Sequence, residues 1–537
     1  MTVRYRCWIF LCCLCFGSPS SAWAQELLTV AEQSQYAATS RHADVMSFCH
    51  KLVQLSPCVQ QTTMGKSQEG RDLPLLILSD PPISTPEEAK RSGKMVVMAF
   101  ANIHAGEVEG KEALQMLARD LVWPKPDPLL KKLVILLNPI LNADGNEKID
   151  PKHRSHQGGP SGGVGLRENA QGLDLNRDFV KLTSPEIRAL VHCVDQWDPW
   201  FIVDCHSTNG TFHRFLITYD GPRHPSVDPG IHQLSQIHLL EDLRKRFEAS
   251  SPYKGFFYGF FTRERTAWYG YPPQPRYGIQ YFSLRNRFGI LSEAYTYADF
   301  KDRVGATRQY VLSNFQYVVD QEAALRKLIQ EADARAQSSS TDAAPDLVLR
   351  FKEVALPGRF EVLGFVEEVK DGKRVPTKQT KDYPVTYLGG TEPTLTVKRP
   401  WAYVVPEEHK LVIENLQRHG IALQRLTQPM EIAVEIYRLD KMRQAERPFQ
   451  NVRLLNTQQV TKRQENKTLP TGSVIVPMRQ RLSTLAGMLL EPEADDGLLA
   501  WSLFGESVKE GKDYPVLRVV QPVAWQTMPL PSSTESK

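Results

Sequence analysis

In MAFANIHAGEVEGKEAL, residues 98–114, an apolar run ends at His104, and Glu107 follows three places later. A His-x-x-Glu pair can offer two ligands to one ion from a single turn, and catalytic zinc takes about three protein ligands from His, Glu, Asp or Cys. The same pair could equally cap a turn or start a helix. Further along, polar residues interrupt apolar segments in the same way. LNPILNADGNE ends in a polar turn from Asn142 to Asn146, and GLRENAQGLDLNRDF holds Arg167, Asn176 and Arg177. WFIVDCHSTNG runs into Asp204 and His206, and GILSEAYTY carries Glu293. A charge placed beside a buried segment must be paired, bound to a metal or put to use. Any one of these could be a core ion pair; so many in sequence are hard to dismiss.

The elements that must position these residues are legible in the hydrophobic pattern. LPLLILS from Leu73, MVVMAFANI from Met95, KLVILLNPI from Lys132, WFIVDCH from Trp200 and GILSEAY from Gly289 are continuous apolar runs. Continuity rather than alternation predicts strands buried on both faces. Between them VEGKEALQMLARDLV, SPEIRALVHCVDQW and HQLSQIHLLEDLRKRFEA keep helical spacing. The alternation predicts an α/β fold with a mixed, mostly parallel sheet and helices on both faces. His104, His206 and Glu293 then fall at or near carboxyl ends of strands, where such sheets bind ligands. One long helix through Val311, Phe315, Val318, Leu325 and Ile329 is expected to close this catalytic domain, residues 25–336. A linker follows at 337–345, in QSSSTDAAP. Beyond it GRFEVLGFVEEV and EIAVEIYRL alternate as half-buried strands do. PEEHKLVIENLQRHG, with Pro406 in its first turn and Gly420 past its end, and RQRLSTLAGMLL read as short helices. Residues 346–537 are therefore expected to form a smaller α+β or β-sandwich domain.

Five hundred and thirty-seven residues exceed one ordinary core, and a net charge of +4 with no basic block gives no sign of nucleic acid. The first residues, MTVRYR, carry two arginines; CWIFLCCLCFG is a short apolar run, and Ala22-Trp23-Ala24 fits the small-x-small pattern before a signal cleavage site. Residues 1–24 thus predict a signal peptide and export to the periplasm or the medium, with no membrane segment in the mature chain. Four cysteines remain after it. Cys49 and Cys58 could close a small loop in an oxidising compartment, and Cys205 is expected as a buried thiol or a partner of Cys193 rather than a metal ligand. His153 and His156 fall in a Gly-rich loop, and His213 and His224 follow the Asp204–His206 strand; none is expected to serve a metal.

The series EGRDLPLL, HAGE, NADGNE, RENAQGLDLNRDF, DCHSTNG and LSEAY, in this order across roughly residues 30–330, resembles the zinc carboxypeptidase family of carboxypeptidases A and B. The most specific parts are His-x-x-Glu, the Gly-x-Asp-Leu-Asn-Arg-Asp string and Asp-x-His-Ser. The resemblance implies one Zn2+ held by His104, Glu107 and His206. It implies that Arg167 polarises the scissile carbonyl and that Asn176 and Arg177 grip the substrate's terminal carboxylate. It makes Glu293 the general base, which protonates the leaving amine later, and Arg71 the lining of a more distant subsite. A lid tyrosine is expected in AWYGYPPQPRYG, with Tyr271 preferred over Tyr269 and Tyr277. Asp204 could orient a ligand histidine or pair with an arginine.

The chemistry suits such roles. A guanidinium stabilises the oxyanion of a tetrahedral intermediate and can hold a carboxylate with two parallel hydrogen bonds. The expected function is an exported zinc metallocarboxypeptidase that hydrolyses the C-terminal peptide bond through a zinc-activated water and a glutamate base. Its expected partner is a peptide with a free C-terminal carboxylate, cell-wall peptides included. Two rivals are a zinc amidase or cell-wall peptide hydrolase on the same scaffold, and a catalytically silent peptide-binding protein.

Overall fold

The apolar runs become the middle of an eight-stranded sheet in a computed structural model, which describes residues 27–208, 210–338 and 344–531. The expected signal peptide, residues 1–24, lies outside the described residues, as does most of the expected linker. The first seven strands are β1 (Val59–Lys66), β2 (Asp72–Leu78), β3 (Met95–Ala101), β4 (Leu133–Asn138), β5 (Phe201–Thr208), β6 (Ile217–Asp220) and β7 (Gly255–Phe257). Two short strands follow, β8 (Phe260–Phe261) and β9 (Ala267–Tyr269), and then β10 (Phe288–Tyr295). The sheet order is β1–β2–β4–β3–β5–β10–β6–β7. Its centre is parallel, from β4 through β3 and β5 to β10, and antiparallel pairs flank it. Every residue of β3, β4 and β5 is buried, which is why these strands lack polar alternation.

Helices cover both faces. Asp204 and Cys205 are consecutive in β5, so their side chains point to opposite sides. On the Cys205 side lies helix α1 (Glu109–Val122), packed so closely that a Cβ on Gly110 would come 2.8 Å from Cys205 Cβ and 2.9 Å from Ala101 Cβ. On the Asp204 side lies helix α2 (Gly278–Ser283), where a Cβ on Gly278 would fall 3.4 Å from Asp204 Oδ2. The expected single closing helix is in fact two, α3 (Phe300–Asp320) and α4 (Glu322–Gln337). Gln321, at φ −106° and ψ 15°, breaks the run, and α4 buries Leu325, Ile329 and Ala332. All four described cysteines are free and buried, so Cys49 and Cys58 close no loop and Cys193 does not join Cys205.

The C-terminal part is β-rich. Its seven-stranded sheet carries the short helices Lys410–Arg418 and Ser483–Leu490, an α+β arrangement rather than a sandwich. Strand β13 (Lys373–Leu388), with β11 (Leu347–Val354) and β12 (Phe360–Lys370) before it, pairs in parallel with β9, Thr386 beside Ala267 and Leu388 beside Tyr269. One hydrophobic cluster runs without a break from the central strands into this part; Phe257 packs on Tyr387 at 4.9 Å between ring centres. Among the described residues no helix is long and apolar enough to cross a membrane.

Candidate active site

Strand β3 stops at Asn102, whose φ of 62° turns the chain out of the sheet, a conformation asparagine tolerates better than most residues. The turn closes when Glu107 N–H donates to His104 C=O at 2.9 Å. It brings His104 and Glu107 to the carboxyl end of the sheet. His206 arrives from β5 and Glu293 from β10, and the parallel register sets these two residues side by side. The ligand atoms of His104, Glu107 and His206 all lie within 4.8 Å of one another, and all three residues are buried. His104 Nδ1 is 3.1 Å from Glu107 Oε1, and His206 Nδ1 is 2.9 Å from Glu107 Oε2. The two Nδ1 atoms are 3.2 Å apart.

The opposite ring nitrogens explain why this cluster suits a cation. His104 Nε2 faces Asp174 Oδ1 at 2.9 Å, and His206 Nε2 lies 3.0 Å from Asp204 Oδ2. The Asp174 carboxylate holds the His104 ring proton on Nε2 and leaves the lone pair on Nδ1, and the Asp204 charge beside His206 Nε2 favours the same arrangement there. Two lone pairs and a carboxylate thus converge on one point, which only a positive charge can satisfy. Two imidazole nitrogens and one carboxylate are the donors zinc prefers in a catalytic site. Cys205 is no part of it: its thiol packs under α1, and burial pushes its pKa well up.

The electrostatics follow the neighbours. Burial works to raise the Glu107 pKa, but His104 and then Arg154 outweigh it and hold this carboxylate well below its ordinary range. Asp174 is treated likewise by His104, Arg177 and Arg167. Burial opposes charge on His206, yet Asp204 and Glu107 prevail and raise its proton affinity well above that of an ordinary histidine. Glu293 goes the other way. Burial, with Glu107 and Asp204 adding to it, pushes its carboxyl up to about 8 against the pull of His206 and Arg167. Its Oε2 is buried and has no hydrogen-bond partner among the described residues.

One cleft is lined by these residues together with Arg167, Asn176, Arg177, Tyr271 and Tyr277. Arg167 reaches Asp174 Oδ2 through Nε at 3.0 Å and Nη2 at 2.9 Å, while its Nη1 stands 3.6 Å from Glu107 Oε1. Asn176 Oδ1 accepts Gly278 N–H at 3.0 Å, and the Arg177 guanidinium lies 4.5 Å over the Tyr277 ring. Of the three tyrosines weighed as lids, Tyr271 and Tyr277 pack together at 4.6 Å in the cleft wall, whereas Tyr269 points outward, 39% exposed. Arg71 stands apart from the cleft. It binds Asp144 Oδ1, a fully buried carboxylate, and Glu69 Oε2, each at 2.6 Å.

Sequence reasoning missed two partners. Asp174 sits inside the GLDLNRD string, and only its neighbours drew notice. Arg154 lies in an irregular loop with no periodicity to mark it, yet its Nη2 holds Glu107 Oε1 at 2.7 Å. The one signal for it is Gly106, where a Cβ would come 2.8 Å from Arg154 Cδ and Nε. His213 and His224 are buried, where desolvation lowers both pKa values to about 3, and they line no part of the cleft.

Residues 45–247 match the family model described as zinc carboxypeptidase. Glu293 lies beyond the matched stretch. The chain is similar to Carboxypeptidase 2 of Trichophyton rubrum, 25% identical over 478 residues, which span 84% of this chain and 81% of that one. It is also similar to Carboxypeptidase Z of Mus musculus, 36% identical over 136 residues, 24% of this chain and 19% of that one. Among solved structures, a metallo-carboxypeptidase from Burkholderia cenocepacia aligns at TM-score 0.38 and 18% identity, over 52% of this chain and 69% of that one. The carboxypeptidase A from Helicoverpa armigera aligns at TM-score 0.39 and 14% identity, over 53% of this chain and 75% of that one.

Proposed function

We propose that this chain, whose residues 45–247 match the zinc carboxypeptidase family model and which is similar over most of its length to a carboxypeptidase, is a peptidase that removes the C-terminal residue of peptides with one Zn2+ held by His104, Glu107 and His206. The observation that carries this is the convergence of those three ligands, Glu293, Arg167 and the Asn176–Arg177 pair on one cleft. Zinc, when bound, supplies a Lewis acid that makes water a nucleophile near neutral pH. Asn176 and Arg177 hold the substrate's terminal carboxylate, Arg177 through a planar guanidinium fixed over Tyr277. Arg167, anchored by Asp174, offers its Nη1 edge, which stands 3.6 Å from Glu107 Oε1, to the oxygen that turns negative as the carbonyl becomes tetrahedral. Glu293 takes the proton of the attacking water on a carboxylate oxygen and returns it to the leaving amine. A carboxyl pushed upward by burial is suited to both transfers.

The pattern in residues 1–24 supports export to the periplasm or the medium, so cell-wall peptides with a free carboxylate are among the substrates within reach. The division into a catalytic unit, residues 25–336, and an accessory unit, residues 346–537, belongs to the same reading. Glu293→Gln tests the mechanism. The variant is expected to bind zinc at one ion per chain and melt like wild type while losing activity by about a hundredfold or more, the scale of a general base. Near wild-type turnover with full zinc content would remove Glu293 from the role.

A further inference from the structure

Behind the carboxylate-binding residues the cleft is held by the C-terminal part, at two separate points. The first is the tip of the hairpin formed by β17 (Met430–Gln444) and β18 (Leu455–Leu469), which follow β14 (Gly390–Val397), β15 (Ala402–Val405) and β16 (Leu423–Leu426) along the chain. Phe449 and Val452 exchange backbone hydrogen bonds of 2.8 and 3.0 Å and close a two-residue turn, in which Gln450 has φ 50° and Asn451 φ 62°. Such a turn favours Asn and Gly; glutamine in its first position is an unforced strain. Its side chain is used: Gln450 Oε1 accepts the Asp174 N–H at 2.9 Å. That N–H begins the segment Asp174–Arg177.

The second point is Asp496, 2% exposed. Its Oδ2 accepts Arg276 N–H at 2.7 Å, its Oδ1 pairs with Arg276 Nη2 at 2.9 Å, and Trp501 Nε1 donates to the same Oδ1 at 2.8 Å. The Arg276 guanidinium is stacked 5.0 Å from the Trp501 ring and 5.3 Å from Phe449. Arg276 precedes Tyr277, on which Arg177 rests, and Gly278, which donates to Asn176. Both stretches that would meet a substrate carboxylate are thus tied to residues more than 170 positions downstream. The three metal-facing residues are held differently: their partners Asp174, Asp204 and Arg154 all belong to the catalytic part, and the link to the C-terminal part runs indirectly, from His104 through Asp174 to Gln450 among the described residues.

We propose that the C-terminal part is a positioning element of the cleft: Gln450 and Asp496 set the Asp174–Arg177 and Arg276–Gly278 stretches that receive the substrate's terminal carboxylate. The inference rests on the carboxypeptidase reading and extends it to a division of labour, with metal held by one part and carboxylate aligned by both.

Gln450→Gly separates positioning from folding, because glycine relieves the left-handed turn while deleting the acceptor. It should melt at or above the wild-type temperature. Its KM for the fastest-cleaved peptide should nevertheless rise about three- to tenfold, the scale of one lost hydrogen bond. Zinc content should be unchanged and kcat within twofold. Asp496→Asn should raise KM likewise with zinc content unchanged, though it should melt lower because Arg276 loses its buried counter-charge; Arg463→Ala, on the exposed face of the hairpin, should change nothing. Hydrogen exchange at the Asp174 amide gives a readout that needs no turnover: it should quicken in Gln450→Gly and stay as wild type in Arg463→Ala. Unchanged KM in both site variants of an active enzyme overturns the proposal, as does an Asp174 amide still protected without Gln450. A rise matched by zinc loss also overturns it, because the contact would then act on the metal through His104. A wild-type protein that cleaves no peptide overturns the carboxypeptidase reading instead.

Discussion

Glu107 and Glu293 are two buried glutamates in one cleft, and their neighbours drive them apart. Glu107 faces His104 and Arg154 and stays charged; Glu293 has an unpartnered Oε2 and holds its proton to about pH 8. For an acid whose folded pKa is raised, the stability it contributes is complete below the unfolded value near 4.5 and is lost as pH rises through about 8. Protein stripped of metal should therefore gain from Glu293→Gln, and the gain in melting temperature over wild type should grow between pH 5 and pH 9. A gain that is flat or shrinks across that range would contradict the buried, unpaired environment of Glu293. His104, His206 and Glu293 were legible because each ends or breaks an apolar run, where a polar side chain must be accounted for, and Glu107 through its spacing from His104. Arg154 and the role of Asp174 were not, because they belong to loops whose contacts are made by distant residues rather than by any local period.

At the scale of elements, the site depends on β3, β5 and β10 lying in register and on α1 packing flat against them. Those strands could be read directly, since burial on both faces makes a strand uniformly apolar. Strands β8 and β9 could not. They have two and three residues, and β9 gains a second partner only from β13, over a hundred positions later. Gly110 is where α1 meets the sheet. Gly110→Ala would add about 1 kcal/mol of helix propensity. Its Cβ, however, would sit 2.8 Å from Cys205 Cβ, an atom fixed to backbone that cannot turn away. Overpacking of this kind costs about 1–3 kcal/mol, and here it outweighs propensity. The variant should melt a few degrees lower and bind zinc more weakly, because α1 begins two residues after Glu107. A melting temperature above wild type would show that α1 has room to move.

At the scale of the molecule, the two parts share one hydrophobic cluster and a strand pairing. Asn415 Nδ2 also donates to Val180 and Lys181 carbonyls at 3.1 and 2.9 Å, and Arg285 Nη1 to His419 C=O at 2.7 Å. Deleting residues 346–537 would bare the apolar face under Tyr387 and leave β9 with only the two-residue β8 beside it. The remaining fragment should be insoluble or melt far below the full chain. A monomeric fragment melting within a few degrees of the full chain would show that the catalytic part stands alone. The sequence pattern marked a change of character near residue 345 but carried no sign of this mutual dependence, which arises from contacts hundreds of positions apart.

Everything in the cleft points to hydrolysis at a free carboxyl end. The direct measurement is mass spectrometry of a peptide set, each member with a free or an amidated C-terminus, incubated with the zinc-loaded protein. Stepwise loss of single residues is expected from the carboxyl end of the free peptides, little from the amidated ones, and none after chelation. Cleavage at internal bonds, or equal attack on amidated ends, would contradict that specificity.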